Sequence, residues 1–362
     1  MRNTAKTTAI SVPSGHVLVW FALIALTVLS LLPLTAHAKY ASLVIDAATG
    51  KVLHEVNADT RNYPASLTKM MTLYMMFEAL EEGRLRMDDR IIISARAARQ
   101  PPSKLGIAPG QSISVENAIR ALAVKSANDV AAAVSEHLGG TERQFALLMT
   151  SKARDIGMSS TTFRNASGLP HRGQLSTARD MSKLAYALMK HFPHRYHYFS
   201  KPRTKINGKT YKSHNALLTD YEGTDGIKTG YIRASGFNLV ASVKRGNKRL
   251  IGVVFGAKNS KTRNRHMVNL LEKGWQKVAP QLASRQPKPK QRTAKNGQSV
   301  WGVQVGAYKT HEPAYTIAVR AMGLAPSYLG EGDIQVAPLH KKNGRVLYRG
   351  RVMGISKNQA YR

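Results

Sequence analysis

Ser66 and Lys69 stand three residues apart in Tyr63-Pro64-Ala65-Ser66-Leu67-Thr68-Lys69, and no other serine of the 362 residues has a lysine at that distance. A serine hydroxyl is a weak nucleophile until a neighbouring base takes its proton. Side chains three apart on a helix share a face, so Lys69 can reach the Ser66 oxygen. A lysine serves as base only when neutral, and burial together with a second cation lowers its pKa toward that state. Leu67, Met70, Met71, Leu73, Met75 and Met76 are apolar. That pattern predicts a helix through the interior with Ser66 at its N-terminal end, where positive potential favours a developing oxyanion. On its own, the tetrapeptide fits equally well an ordinary helix start with a solvent-facing lysine.

Two later triplets tilt the balance. Ser126-Ala127-Asn128 follows an amphipathic stretch and offers a hydroxyl for proton relay and a carboxamide for holding an amide. Ser213-His214-Asn215 and Ser356-Lys357-Asn358 share its pattern, and Ser and Asn often merely cap the next helix. Lys228-Thr229-Gly230 occurs once. On an edge strand facing the serine, Lys228 and Thr229 can hold a carboxylate, and Gly230 lets a substrate backbone lie close.

The elements that must carry these residues are legible in outline. Ala41–Asp46 and Lys51–Glu55 read as a hairpin around a turn at residues 47–50. Helical patterns cover Pro64–Leu80, Val115–Val124, Val130–His137, Glu142–Ile156, Ala178–Lys190 (capped by Ser176 or Thr177) and Met267–Val278. Phe237–Lys244 and Arg249–Ala257 read as strands joined at Arg245-Gly246-Asn247. Strands, a helical block and strands again indicate an α+β domain, an antiparallel sheet packed on a helical layer.

The chain carries 54 lysines and arginines against 21 acids, a formal net charge of +33, which suits polyanionic surroundings without choosing among them. With no cysteine, disulfides, thiol nucleophiles and cysteine metal sites are excluded. Arg2 and Lys6 precede the apolar stretch Val17–Leu34, which ends in Ala36-His37-Ala38. This reads as a secretory signal peptide over residues 1–38, with an uncleaved membrane anchor as the alternative. Residues 281–298 are basic, with Pro287 and Pro289 and no acid, and read as a linker.

Residues 39–280 resemble the low-molecular-weight penicillin-binding proteins, the D-alanyl-D-alanine carboxypeptidases of peptidase family S11. The resemblance is carried by Tyr63 through Thr72, by Lys125-Ser126-Ala127-Asn128-Asp129, by Asp225 through Tyr231 and by Gly236 through Ser242. It implies a β-lactamase/transpeptidase-like fold in which Ser66 attacks the carbonyl between the terminal D-alanines of a peptidoglycan stem pentapeptide. Lys69 would be general base, Ser126 and Asn128 would assist, and Lys228 and Thr229 would bind the terminal carboxylate. The backbone N–H groups of Ser66 and Tyr231 would form the oxyanion hole beside Gly230, with Arg263 near the carboxylate pocket. β-Lactams would trap Ser66, and neither cofactor nor metal is implied. D,D-endopeptidase action on cross-links uses the same residues, and a catalytically weak wall-binding protein is the alternative of another class. A class A β-lactamase would need a glutamate between the second and third motifs, and Phe163–Met181 has none.

Ser299–Arg362 reads as strand, helix, strand, strand: an RNP-like βαββ unit with basic and aromatic content. An exported protein meets little RNA, so nucleic acid is not the expected partner. Val300 through Tyr308 and Leu347 through Arg351 resemble a SPOR domain, a binder of bare peptidoglycan glycan strands at division sites. The resemblance makes Trp301, Gln304, Tyr308 and Arg349 candidate glycan contacts, although core packing suits Trp301 and Tyr308 equally well. The chain stops short of the second helix and last strand of a full module. The expected location is the cell envelope or periplasm, with septal enrichment from this module.

Overall fold

The computed structural model describes residues 40–279, 301–329, 332–341 and 345–361. The expected signal peptide and the linker at 281–298 lie outside these residues. A five-stranded antiparallel sheet, in the order β2-β1-β9-β8-β7, organises the larger part. It comprises β1 (Ala41–Asp46), β2 (Val52–Val56), β7 (Thr224–Ile232), β8 (Gly236–Arg245) and β9 (Lys248–Ala257). Two small two-stranded sheets stand apart: β3 (Arg90–Ile92) with β4 (Ser112–Ser114), and the hairpin of β5 (Arg203–Ile206) with β6 (Lys209–Lys212). Their strands have three or four residues each, too short to show an alternating pattern.

The expectation of one helical layer needs extending, because both faces of the sheet are covered. Val240, Ile251, Val253 and Phe255 join the core under the helical block, whereas Leu239, Ala241, Val243, Leu250 and Val254 pack with Leu270, Leu271 and Trp275 on the other side. Successive strand residues point to opposite faces, so a strand buried on both reads as an unbroken apolar run. Val240-Ala241 and Ile251 through Phe255 have that character.

The helices are α1 (Lys69–Glu81), α2 (Val115–Arg120), α3 (Asn128–Gly139), α4 (Glu142–Asp155), α5 (Ala178–His191) and α6 (Ser260–Val278). A 3-10 turn at Ala65–Thr68 precedes α1, and a π turn at Ala121–Lys125 extends α2. Thr177, not Ser176, caps α5, its hydroxyl accepting from Asp180 N at 3.0 Å. Helix α6 begins seven residues before Met267, at a capping box of Asn259 and Thr262. Its first turns, Ser260 through Arg265, are polar or charged, so periodicity hides them.

The C-terminal residues form a sheet in the order β10-β12-β11, from β10 (Trp301–Tyr308), β11 (Asp333–His340) and β12 (Val346–Ile355), with α7 (His311–Leu324) after β10. Opposed residues of an antiparallel pair share a face. Gly306 and Tyr308 oppose Gly350 and Tyr348, and a Cβ on Gly350 would meet Ala314 O of α7, so this face looks at the helix. Gln304 opposes Arg351 and Ala307 opposes Arg349, which puts Gln304 and Arg349 on the other face. Trp301 opposes Ile355 and packs with it in the small core, its ring also edge-on to Tyr361 at 5.3 Å. The four candidate contacts are therefore divided between faces. Trp301 and Tyr308 go with the packing side.

Trp275 is fully buried on the α6 side of the main sheet. Replacing it with alanine should lower unfolding free energy by about 3–5 kcal/mol, read from urea denaturation. A change within experimental error would show that α6 is not part of the cooperative core.

Candidate active site

Pro64 enters the 3-10 turn that carries Ser66, and Lys69 is the first residue of α1. Ser66 is half-buried at the cleft, while Lys69 is wholly buried. The Lys69 Nζ lies 3.1 Å from Ser66 Oγ, 2.7 Å from Asn128 Oδ1 and 2.6 Å from the Ser167 carbonyl. Three oxygens surround one amine. A neutral amine has two protons and one lone pair. With Asn128 and Ser167 accepting the protons, the lone pair is left to face the Ser66 hydroxyl. Burial holds the Lys69 pKa well below its ordinary value, and the Lys228 charge lowers it further, against smaller opposing effects from Asp129 and Glu142.

Ser126 occupies the turn between the π turn and α3, with φ of 63°. Neither Ser126 nor Asn128 caps α3: the cap is Ala127, with no side-chain bond. The Ser126 Oγ instead accepts from Lys228 Nζ at 2.9 Å, and Asn128 Oδ1 accepts from Lys69. The look-alike triplets have other tasks. Asn215 donates to Gly226 O at 3.2 Å, and Ser356 starts a short helix through a capping box.

Strand β7 is the sheet edge beside the serine, so Lys228, Thr229 and Gly230 lie where the sequence placed them. Lys228 is buried, and desolvation followed by the Arg263 charge brings its pKa down to about 7. Gly230 is also required by the fold itself. A Cβ there would lie 2.8 Å from Pro64 O and 3.1 Å from Ser66 N, so the glycine admits the nucleophile's own turn. The Tyr231 side chain is exposed and packs on Phe237 at 4.3 Å. Arg263 is buried on α6, with its pKa lowered by desolvation to about 10. Its hydrogen bonds go to Asn238 O and Asn264 Oδ1 rather than to Lys228 or Thr229. It acts on the site as a nearby charge.

Four residues to which the sequence reading gave no role assemble this geometry. Asn238, fully buried in β8, donates to Tyr63 O at 3.1 Å and accepts from Gly256 N at 3.2 Å, tying the nucleophile turn to the sheet. A polar residue inside an apolar strand run was the available signal. Gln174 accepts from Arg164 N and Asn165 N and donates to Thr68 Oγ1 at 3.3 Å. Glu142 accepts from Ala166 N at 3.0 Å and is paired with Arg96. Together they fix the segment whose Ser167 carbonyl meets Lys69. Within that segment Gly168 has φ of 85° and lies so close to Ala65 that a Cβ would sit 1.8 Å from its carbonyl oxygen. Asp129, buried behind Asn128, accepts from Leu105 N and Gly106 N at 2.9–3.1 Å. The segment it anchors holds Asn128 in turn, through Pro101 O at 2.9 Å and Ser103 O at 2.6 Å.

A family model for D-alanyl-D-alanine carboxypeptidase, peptidase S11, matches residues 30–259. The chain belongs to that family. It is 36% identical over 251 residues to the D-alanyl-D-alanine carboxypeptidase DacF of Bacillus subtilis, covering 66% of this chain and 62% of that protein. DacA of Escherichia coli is 37% identical over 240 residues, covering 64% and 60%. The chain thus spans about six-tenths of the length of these curated relatives. Among solved structures, penicillin binding protein 6B from Escherichia coli is similar at TM-score 0.62 and 31% identity, covering 75% of this chain and 80% of that one. Penicillin-Binding Protein D2 from Listeria monocytogenes, in its ampicillin-bound form, gives 0.58 and 31%, covering 65% and 96%. The transpeptidase-like α+β fold follows from these likenesses.

Two outcomes follow. The unfolded chain binds a proton at Lys228 up to its ordinary pKa of 10.5, the folded one only up to about 7. The penalty is therefore full below about pH 7 and fades as pH rises toward 10.5. Lys228→Met should gain most thermal stability over wild type at about pH 7 and below, with the difference shrinking by about pH 10; a pH-independent difference would refute the assigned shift. Asp129→Asn should slow acylation by roughly ten- to a hundredfold by loosening the segment that holds Asn128. It also removes a charge that favours protonated Lys69, so the low-pH limb of the acylation profile should move to lower pH. An unmoved limb would mean that Asp129 acts on structure alone.

Proposed function

We propose that this chain is a serine-type D-alanyl-D-alanine carboxypeptidase that removes the terminal D-alanine from peptidoglycan stem pentapeptides. The observation that carries the reading is the Lys69 amine, wholly buried, bonded to Asn128 and Ser167, and 3.1 Å from Ser66 Oγ. Family membership and the names of the relatives support the same substrate class.

In this mechanism the terminal carboxylate of the peptide sits against Lys228 and Thr229. The Ser66 Oγ bonds to the carbonyl carbon between the two D-alanines while its proton passes to Lys69 Nζ. The backbone N–H groups of Ser66 and Tyr231 receive the oxyanion. Collapse breaks the C–N bond, and the proton held by Lys69 passes to the leaving amine with the assistance of the Ser126 hydroxyl, which accepts from Lys228 Nζ at 2.9 Å. Water then attacks the ester, gives its proton to Lys69, and the proton returns to Ser66. β-Lactams would enter as mimics of the peptide end and stop at the ester. Metal and cofactor have no step in this scheme.

The C-terminal unit is proposed as a SPOR-type binder of glycan strands. Gln304 and Arg349 share the sheet face away from α7, and Arg349 Nε lacks a hydrogen-bond partner among the described residues. Trp301 and Tyr308, on the packing side of the sheet, are not among its contacts. The chain would act in the cell envelope, enriched at septa by this unit. Among the described residues, no helix is long and apolar enough to cross a membrane.

Intact-mass measurement after labelled penicillin should show one adduct on wild type and none on Ser66→Ala. Lys69→Met should acylate about 10²–10⁴ times more slowly. Adduct on Ser66→Ala equal to wild type would overturn the acyl-enzyme. Adduct without D-alanine release from pentapeptide would leave wall recognition as the function.

A further inference from the structure

A groove of about 570 Å³ lies beside the Ser126–Asn128 turn, between the β5–β6 hairpin and the residues that follow Asp129's anchor point. Arg90, Gly106, Ser112, Asn207, Lys209 and Tyr211 are among its lining residues. Two sets of contacts tie its walls to the second motif. On one side Leu105 N and Gly106 N donate to Asp129, the residue after Asn128. On the other the Tyr211 ring lies under the Lys125 ammonium at 5.7 Å, and Lys125 precedes Ser126.

The groove has a definite chemistry. Its described lining residues include two cations, Arg90 and Lys209, and no aspartate or glutamate. Arg90 is held in place, with Nε 3.0 Å from Ser112 Oγ and Nη2 3.0 Å from Ser112 O. Lys209 follows Asn207 and Gly208, whose φ values of 46° and 78° form the tight turn natural to a two-residue hairpin. A cation fixed before binding, as Arg90 is, loses less freedom when a ligand arrives. A guanidinium and an ammonium with no acid between them suit a carboxylate.

We infer that this groove is a subsite for a carboxylate that the substrate peptide carries upstream of its D-alanyl-D-alanine end. The inference deepens the carboxypeptidase reading and rests on it. Lys228 and Thr229 take the terminal carboxylate, while Arg90 and Lys209 take the second, so the cleft selects acidic stems over neutral ones. The expected preference for the acidic stem is roughly fivefold, the upper end for an exposed ion pair.

The test uses two N-acetylated peptides with the same D-alanyl-D-alanine end, one with glutamate and the other with glutamine upstream. Each is titrated against penicillin acylation of the full chain, reading the concentration that halves the rate. For wild type the glutamate peptide should be effective at roughly one-fifth the concentration, and the advantage should shrink at about 1 M salt. Lys209→Gln, on an exposed turn, and Arg90→Gln should each bring the two peptides close together, with folding checked by thermal melting. Equal potency on wild type, or an advantage that survives both substitutions, overturns the subsite. Absence of any penicillin adduct on wild type instead overturns the acyl-enzyme reading, so the two failures are distinct.

Discussion

The cleft is organised around an amine that the fold keeps away from water. Lys69 is wholly buried, with Lys228 buried nearby and Arg263 behind that. Three cations sharing one interior cannot all remain charged without large cost, because burial and like-charge repulsion both disfavour the protonated forms. Lys69, wholly buried and 3.1 Å from the Ser66 hydroxyl oxygen, has its pKa held well below the ordinary value. In the proposed mechanism, what would be an inert ammonium on a surface helix thereby serves as a base. The stability lost to these lysines is offset by the cores on both faces of the sheet.

Three separate stretches of backbone must converge for that arrangement to hold. The nucleophile turn is pinned to β8 by Asn238, the Ser126–Asn128 turn is held by the segment fastened to Asp129, and the Ser167 carbonyl is fixed by Gln174 and Glu142. Gly168 and Gly230 permit two of the contacts, each leaving space where a side chain would strike the Pro64–Ser66 backbone. The site is therefore a property of packing between distant segments. In the proposed mechanism Ser66 and Lys69 supply the reacting atoms, and the surrounding chain supplies their state.

This explains which features were legible beforehand. Ser66 with Lys69 and Lys228-Thr229-Gly230 are local patterns, and the amphipathic helices declare themselves by period. Asp129, Glu142 and Gln174 look like ordinary polar residues at helix starts and in loops, because the partners that tie them into the site lie 9 to 106 residues away. Asn207-Gly208 was a readable hairpin signal, yet its flanking strands, Arg203–Ile206 and Lys209–Lys212, are too polar to attract notice. In the C-terminal unit, strand aromatics looked like a binding platform until register divided them. Trp301 and Tyr308 face the packing side, a distinction that a period of two cannot make across the irregularities at residues 301–302 and 304–306.

The account stands or falls on the protonation state of Lys69. The direct measurement is NMR titration of the Lys69 side-chain amine in protein carrying isotope-labelled lysine, assigned by comparison with Lys69→Met. Burial beside Lys228 predicts a pKa well below the ordinary 10.5, and an upward move in Lys228→Met would be too weak to restore that value, since desolvation is the larger cause. A Lys69 amine titrating near 10.5 in the folded protein would contradict the account.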